Sequence, residues 1–252
     1  MNTHLLLDIE GTTCPFSFIV DVLYPYAEQN LEPFIESHHH EKAIKDILSK
    51  AQEEWSKDNH PGSTNLLTKC KKQSLTKKES IIKYMRHLMS IDRKSTVLKD
   101  LQGKIWKQGY NDGILKSTLF REASECIHHW KQRGQILAVY SSGSVEAQKL
   151  LFQNTQTGNL SELFSHWFDT QTGPKKNQKS YQQISKIMGT RIKDVTFVSD
   201  NGEECDAAEE AGMQTLFSLR KDNPDQDPRH HHVIRNLKEV DAYIFDQYSR
   251  PR

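Results

Sequence analysis

Two carboxylates one residue apart, Asp8 and Glu10, follow the apolar run Leu5-Leu6-Leu7 and precede Gly11-Thr12-Thr13. The apolar run predicts a buried strand that delivers Asp8 at its mouth; Gly11 lets the backbone turn, and Glu10 projects near the same crevice. Three later stretches carry matching chemistry. Ser141 and Ser142 place hydroxyls just ahead of a helix, whose free N–H groups and positive dipole end make a cradle for phosphate. Lys175, presented by the Gly173-Pro174 turn, supplies a charge able to neutralise such a group. Asp200 ends the run Val195-Thr196-Phe197-Val198-Ser199, a second carboxylate at a strand mouth, and with Asp8 it suits Mg2+, a hard ion that takes few carboxylates and keeps waters.

Each piece has a plainer alternative. Asp8 and Glu10 could be solvated carboxylates in a turn, Ser142 or Ser144 a simple helix cap, and Lys175 an exposed loop lysine. Glu203, Glu204 and Asp206 favour a helix N-terminus through the dipole, with Asp206 also a candidate to support the site from behind. The order of the pieces along the chain, more than any one of them, points to a shared site.

The elements that must position these residues alternate. From Glu122 onward the pattern predicts a helix over 122–133, a strand over 135–141, a helix over 144–152, a strand over 164–170, a helix over 180–188, the strand 195–200 with its helix from 203, a strand over 213–219 and a final helix. The segment His232-Val233-Ile234 reads as a lead into that last helix. This is an α/β domain with a parallel sheet, and 252 residues suffice for a substantial core. Between Thr13 and about Lys116 the pattern is helical, with amphipathic pieces near 18–34, 41–57, 77–89 and 98–109. There the stretch 59–64 has turn chemistry and Lys69-Cys70-Lys71-Lys72 reads as a basic tract on a solvated helix face or loop. The domains expected are a core, 1–15 with 117–252, and an inserted helical cap, 16–116.

Composition narrows the partners. The 34 Lys+Arg nearly balance 33 Asp+Glu, so no global field argues for nucleic acid or a membrane surface. Cys14, Cys70, Cys126 and Cys205 lack metal-type spacing and suit reduced thiols, with Cys14 read as packing. Asp8 arrives too soon for the apolar core of a signal peptide, and no stretch is apolar long enough to span a bilayer, so a cytoplasmic location is expected. His38-His39-His40 fan around a helix, and His230-His231-His232 has no nearby Cys or spaced His to complete a metal site.

Asp8-Ile9-Glu10-Gly11-Thr12 resembles the first motif of the haloacid dehalogenase superfamily of phosphohydrolases, and Ser141-Ser142, Lys175 and Ser199-Asp200 resemble the motifs that follow it. Most superfamily phosphatases have Asp where this chain has Glu10. That departure, with Phe18 to Ala27, Leu101 to Gly113 and Gly173-Pro174-Lys175 before Ser180-Tyr181, is similar to the enolase-phosphatase subfamily of methionine salvage. The resemblance covers nearly the whole chain. It implies a Rossmann-like core with an inserted helical cap and one Mg2+ per subunit held by Asp8, Glu10 and Asp200. It further implies Asp8 as nucleophile, Glu10 as a proton-transfer group, and Ser141, Ser142 and Lys175 on the substrate phosphate. The implied substrate is a small phosphorylated diketone and the implied assembly is a monomer; Tyr110 is a candidate to line the pocket, with a purely structural role the open alternative. Another phosphate ester, or a non-catalytic phospho-ligand binder on the same fold, stays open on residues alone.

Overall fold

The computed structural model describes residues 4–249. Its sheet is built from β1 (His4–Leu7), β2 (Ile136–Tyr140), β3 (His166–Phe168), β4 (Val195–Ser199), β5 (Gln214–Ser218) and β6 (His232–Ile234), in the order β3-β2-β1-β4-β5-β6. Every pairing is parallel. Strands covered on both faces read as continuous apolar runs, which is why Leu5, Leu6 and Leu7 are all fully buried. Leu7 lies level with Val139 on one side and Val198 on the other. The chain leaves β1 toward β2 and β3, then returns to place β4 on the opposite flank, so the strand order reverses beside β1. In open α/β sheets that reversal opens a crevice at the carboxyl ends of the strands.

The helices around this sheet are α6 (Ala123–Gln132), α7 (Val145–Gln153), α8 (Gln178–Ile187), α9 (Gly202–Ala211) and α10 (Glu239–Ser249). Tyr140, Phe168, Tyr181, Ile184, Phe197 and Ala208 form one apolar cluster, with the Tyr181 ring edge-on to both Tyr140 and Phe197. His232-Val233-Ile234 is a strand, not a lead into α10: its backbone pairs with Leu216 to Ser218, a partner the local pattern could not reveal. The strand expected over 164–170 shortens to three residues.

Residues divide into two compact units, Met1–Asp21 with Leu115–Arg252, and Val22–Ile114. The first boundary falls inside a π-helix, Phe18–Leu23. The second unit is made of α1 (Tyr24–His38), α2 (Lys42–Lys57), α3 (Pro61–Lys72), α4 (Lys77–Ser90) and α5 (Thr96–Asn111) around a core that includes Leu31, Ile35, Ile47, Leu88, Leu101 and Ile105. Thr76 and Glu79 cap α4 reciprocally.

The third of these helices carries Lys69, Lys71 and Lys72 on an exposed face, and it corrects the turn expectation for 59–64, since the helix already begins at Pro61. Pro61 fixes the first helical φ, His60 accepts from Gly62 N, and Trp55, stacked on Tyr84 at 4.7 Å, donates its indole N–H to Ser63 O. Glycine is required at 109 by close approach, since a Cβ there would stand 2.6 Å from the Tyr26 hydroxyl. Trp106 donates to Leu23 O at 2.8 Å and Tyr110 is buried.

Candidate active site

Asp8 is the first residue past β1, and its amide still pairs with Val198 O at 2.9 Å. Its carboxylate is almost wholly buried, with Oδ1 accepting from Ile9 N at 2.8 Å. The turn beyond it is tight. Thr12, Thr13 and Cys14 all donate their amides to Ile9 O, the Thr13 hydroxyl lies 3.1 Å from Asp8 O, and Gly11 takes a φ of +67° that favours glycine. Gly11 O accepts from Ser218 Oγ at 3.1 Å and Asn223 Nδ2 at 3.0 Å, tying this turn to β5 and the loop after it. A side chain at 11 would also collide with Asp200, whose Oδ2 would lie 2.1 Å from the Cβ.

Lys175 reaches into this corner. Its Nζ lies 2.7 Å from Asp8 Oδ2 and 2.6 Å from Glu204 Oε2, while the Ser199 hydroxyl stands 2.9 Å and 3.0 Å from the same two oxygens. One hydroxyl proton can serve only one of those carboxylates at a time. Burial acts to lower the Lys175 pKa, but the Asp8 and Glu204 charges overcome it and hold the ammonium well above its ordinary value. The loop presenting it is pinned by three hydroxyls: Tyr140 to Gly173 O, Ser180 to Pro174 O and Tyr181 to Lys175 O, at 2.8, 2.8 and 2.6 Å. Lys176 points elsewhere, exposed and paired with Glu203.

Asp200 follows β4 as Asp8 follows β1. It is buried, and among the described residues no donor bonds its carboxylate. Burial, and next the Asp8 charge, push its pKa up to about 8, and burial likewise raises Glu204, to about 7. Asp8 and Asp200, both buried, and the partly exposed Glu204 crowd one ammonium, and a divalent cation held by hard oxygen donors fits the negative charge that gathers there as they ionise. Glu10 is half-buried beyond Asp8, and its charge also raises Asp200.

Ser141 lies one step past the end of β2, on the strand beside β1. Its hydroxyl accepts from Gly143 N at 3.2 Å, and Ser144 caps α7 by accepting from Ala147 N. Gln148 reaches back from α7, donating its amide to both Gly143 O and Phe168 O at 2.8 Å, and Asp169 accepts from Val145 N at 3.2 Å. Ser142 is half-buried in the same loop.

The structure thus gathers Asp8, Lys175 and Asp200 with two groups sequence reasoning did not assign, Glu204 and Asn223. Asp206, a candidate to support the site from behind, instead faces Arg229 and His231; Glu204, two residues earlier, is the one turned toward Lys175. Its position on the first turn of the helix after Asp200 was the available signal. Cys14 and Cys205 are buried and free, and burial raises both thiols well above the ordinary range, which leaves them inert packing.

A family model described as haloacid dehalogenase-like hydrolase matches residues 3–212. The enolase-phosphatase E1 of Parasynechococcus marenigrum (strain WH8102) is 52% identical over 242 residues, covering 96% of this chain and 99% of that one. The enolase-phosphatase E1 of Prochlorococcus marinus (strain MIT 9313) is 49% identical over 97% of this chain and 100% of its own. Among solved structures, the UTR4 protein (Unknown transcript 4 protein) of Saccharomyces cerevisiae matches with a TM-score of 0.73 at 31% identity, covering 94% of this chain and 98% of that chain. Among the described residues no helix is long and apolar enough to cross a membrane.

Proposed function

Because this chain belongs to the haloacid dehalogenase-like hydrolases and, within them, to the enolase-phosphatase E1 family, we propose that it converts 2,3-diketo-5-methylthiopentyl 1-phosphate to 1,2-dihydroxy-3-keto-5-methylthiopentene and phosphate, the acireductone-forming step of methionine salvage. The observation that carries the reading is the buried Asp8 carboxylate at the mouth of the central strand, with the Lys175 ammonium 2.7 Å away. Asp8 attacks phosphorus, the bond from phosphorus to the substrate oxygen breaks, and water then cleaves the aspartyl phosphate; two easier steps replace one hard one. Lys175 offsets the charge that Asp8 and the phosphoryl oxygens bring together. Ser141 and Ser142 hold phosphoryl oxygens.

Before phosphoryl transfer the diketone must enolise, losing a C–H proton. Glu10 is the candidate base, carrying that proton to the carbonyl oxygen that becomes the enol. Haloacid dehalogenase-like hydrolases are generally metal-dependent. Mg2+, one per chain, is the ion we assign to Asp8, Glu10 and Asp200; when bound it polarises oxygen atoms of the substrate and neutralises charge on the phosphoryl group. The helical insertion, residues 16–116, serves as the cap that shields the substrate from water, and the enzyme works as a cytoplasmic monomer.

The test is anaerobic incubation of the purified protein and Mg2+ with the diketo phosphate, following enol absorbance and released phosphate together, with p-nitrophenyl phosphate as control. Enol formation followed by phosphate release is expected. Hydrolysis of the control alone would leave a phosphatase and overturn the diketone assignment. Asp8→Asn abolishes phosphate release, and Glu10→Gln slows enolisation; a Glu10→Gln protein that enolises at the normal rate removes Glu10 as the base.

A further inference from the structure

Helix α9 has a second polar face. Asp206 stands two residues past Glu204, about 200° around the helix, and Glu209 follows one turn on, so two carboxylates share a side turned away from Lys175. Facing them is the segment His230-His231 that leads into β6. Asp206 Oδ1 lies 2.8 Å from His231 Nε2, its Oδ2 is held by the Arg229 guanidinium, and Glu209 Oε2 meets His230 Nε2. The two imidazoles pack at 4.2 Å between ring centres, tilted by 39°. Ligand atoms of Asp206, His230 and His231 all lie within 4.8 Å of one another.

The arrangement is braced from behind. The buried His231 ring is held at Nδ1 by Thr215 Oγ1 of β5, 2.9 Å away, which leaves Nε2 directed at Asp206. Arg229 fixes one carboxylate oxygen of Asp206 and leaves the other facing the imidazoles. Supports of this kind set the orientation of metal ligands.

We propose that Asp206, Glu209, His230 and His231 form a binding site for a divalent transition-metal ion of the zinc class, separate from the carboxylates at the strand ends. Two imidazoles and two carboxylates are a donor set that zinc accepts in four-coordinate geometry, whereas Mg2+ takes oxygen donors almost alone. Ligands about 2.0–2.1 Å from zinc sit roughly 3.3 Å apart, so the Asp206, His230 and His231 donors must draw together from within 4.8 Å, and Glu209, which among the described residues meets only His230, must swing in beside them. The exposed side chains of His230 and Glu209 supply that movement, while His231 stays anchored. A bound ion would cross-link α9 to the segment that follows Asn223 and Asp225, and Asp225 already accepts from Gly202 N at the start of α9.

The test uses untagged full-length protein with Mg2+ in excess, so that the strand-end carboxylates are occupied. Zn2+ is titrated in competition with a chromophoric chelator, and Co2+ is added separately as a spectroscopic probe. One Zn2+ per chain and the visible absorption bands of four-coordinate cobalt are expected. His230→Ala weakens binding more than tenfold, by analogy with the roughly 10–100-fold loss seen when even a supporting partner is removed, and Glu209→Gln weakens it less. Both variants change exposed side chains and melt like the parent when zinc is absent. Binding that is absent, that survives unchanged in both variants, or that is lost instead in a His38→Ala, His39→Ala, His40→Ala triple variant overturns the assignment.

Discussion

Lys175→Met isolates the electrostatics of the strand-end site. The substitution keeps a linear apolar stem but removes the one ammonium within 2.7 Å of Asp8 and 2.6 Å of Glu204. Breaking one partner out of a buried ion pair costs about 3–5 kcal/mol, because the remaining charge is left uncompensated in a poorly solvated place. Here two carboxylates are orphaned. Glu204, whose pKa burial already raises to about 7, answers by binding a proton more tightly still, at about 1.4 kcal/mol per pKa unit. Unfolded Asp and Glu titrate near 4, so carboxyls whose folded pKa is raised are stabilising while protonated and lose that advantage as pH climbs through the raised value.

The Lys175→Met deficit is therefore largest near pH 8 and shrinks toward pH 5. Urea unfolding of the metal-free variant and parent at both pH values measures it, and adding Glu204→Gln to the variant should recover about 1–2 kcal/mol at pH 8 through removal of one orphaned charge. A deficit equal at pH 5 and pH 8, or a double variant no more stable than Lys175→Met, would refute the shared-ammonium account. Hydrolysis of the phosphate ester is lost in both variants.

Other outcomes follow from the same geometry. The metal-free parent, whose Asp200 pKa is raised to about 8, loses stability as pH rises from about 5 through 8; Asp200→Asn flattens that decline in melting experiments while abolishing Mg2+-dependent turnover. Gly11→Ala pays for a φ of +67° by about 1–2 kcal/mol and pushes Asp200 aside, so the Mg2+ concentration for half-maximal activity rises by more than about tenfold; an unchanged Mg2+ dependence would show the carboxylate is not displaced. Gln148→Leu removes both donors that hold Gly143 O and Phe168 O, a loss of about 1–3 kcal/mol, and it weakens inhibition by inorganic phosphate; unaltered phosphate inhibition would separate Gln148 from the Ser141 loop.

Apolar strands ending in Asp8, Ser141 and Asp200, and the lysine after Gly173-Pro174, were legible in the sequence because each depends on short-range pattern: a buried run, a turn residue, a reactive group at its end. Helices α1, α2, α4 and α5 were legible for the same reason, through their apolar periodicity. The start of α3 was not, since 61–64 carries turn-type residues, and there Trp55 donates to Ser63 O. Nor was β6, whose identity depends on pairing with β5.

Tertiary structure alone decided which acids meet which bases. Glu203, Glu204 and Asp206 look alike as a helix-start cluster, yet rotation by about 100° per residue sends Glu203 to Lys176, Glu204 to Lys175 and Asp206 to His231. The histidines at 230 and 231 had no partner within their own stretch; folding supplied Asp206 and Glu209 from more than twenty residues away. Sequence by itself determined the groups and the elements that carry them, because those are local. Their charges, protonation and partners emerged only when the strand ends were brought together in a buried corner, because burial and Coulomb interaction depend on distance through space and not along the chain.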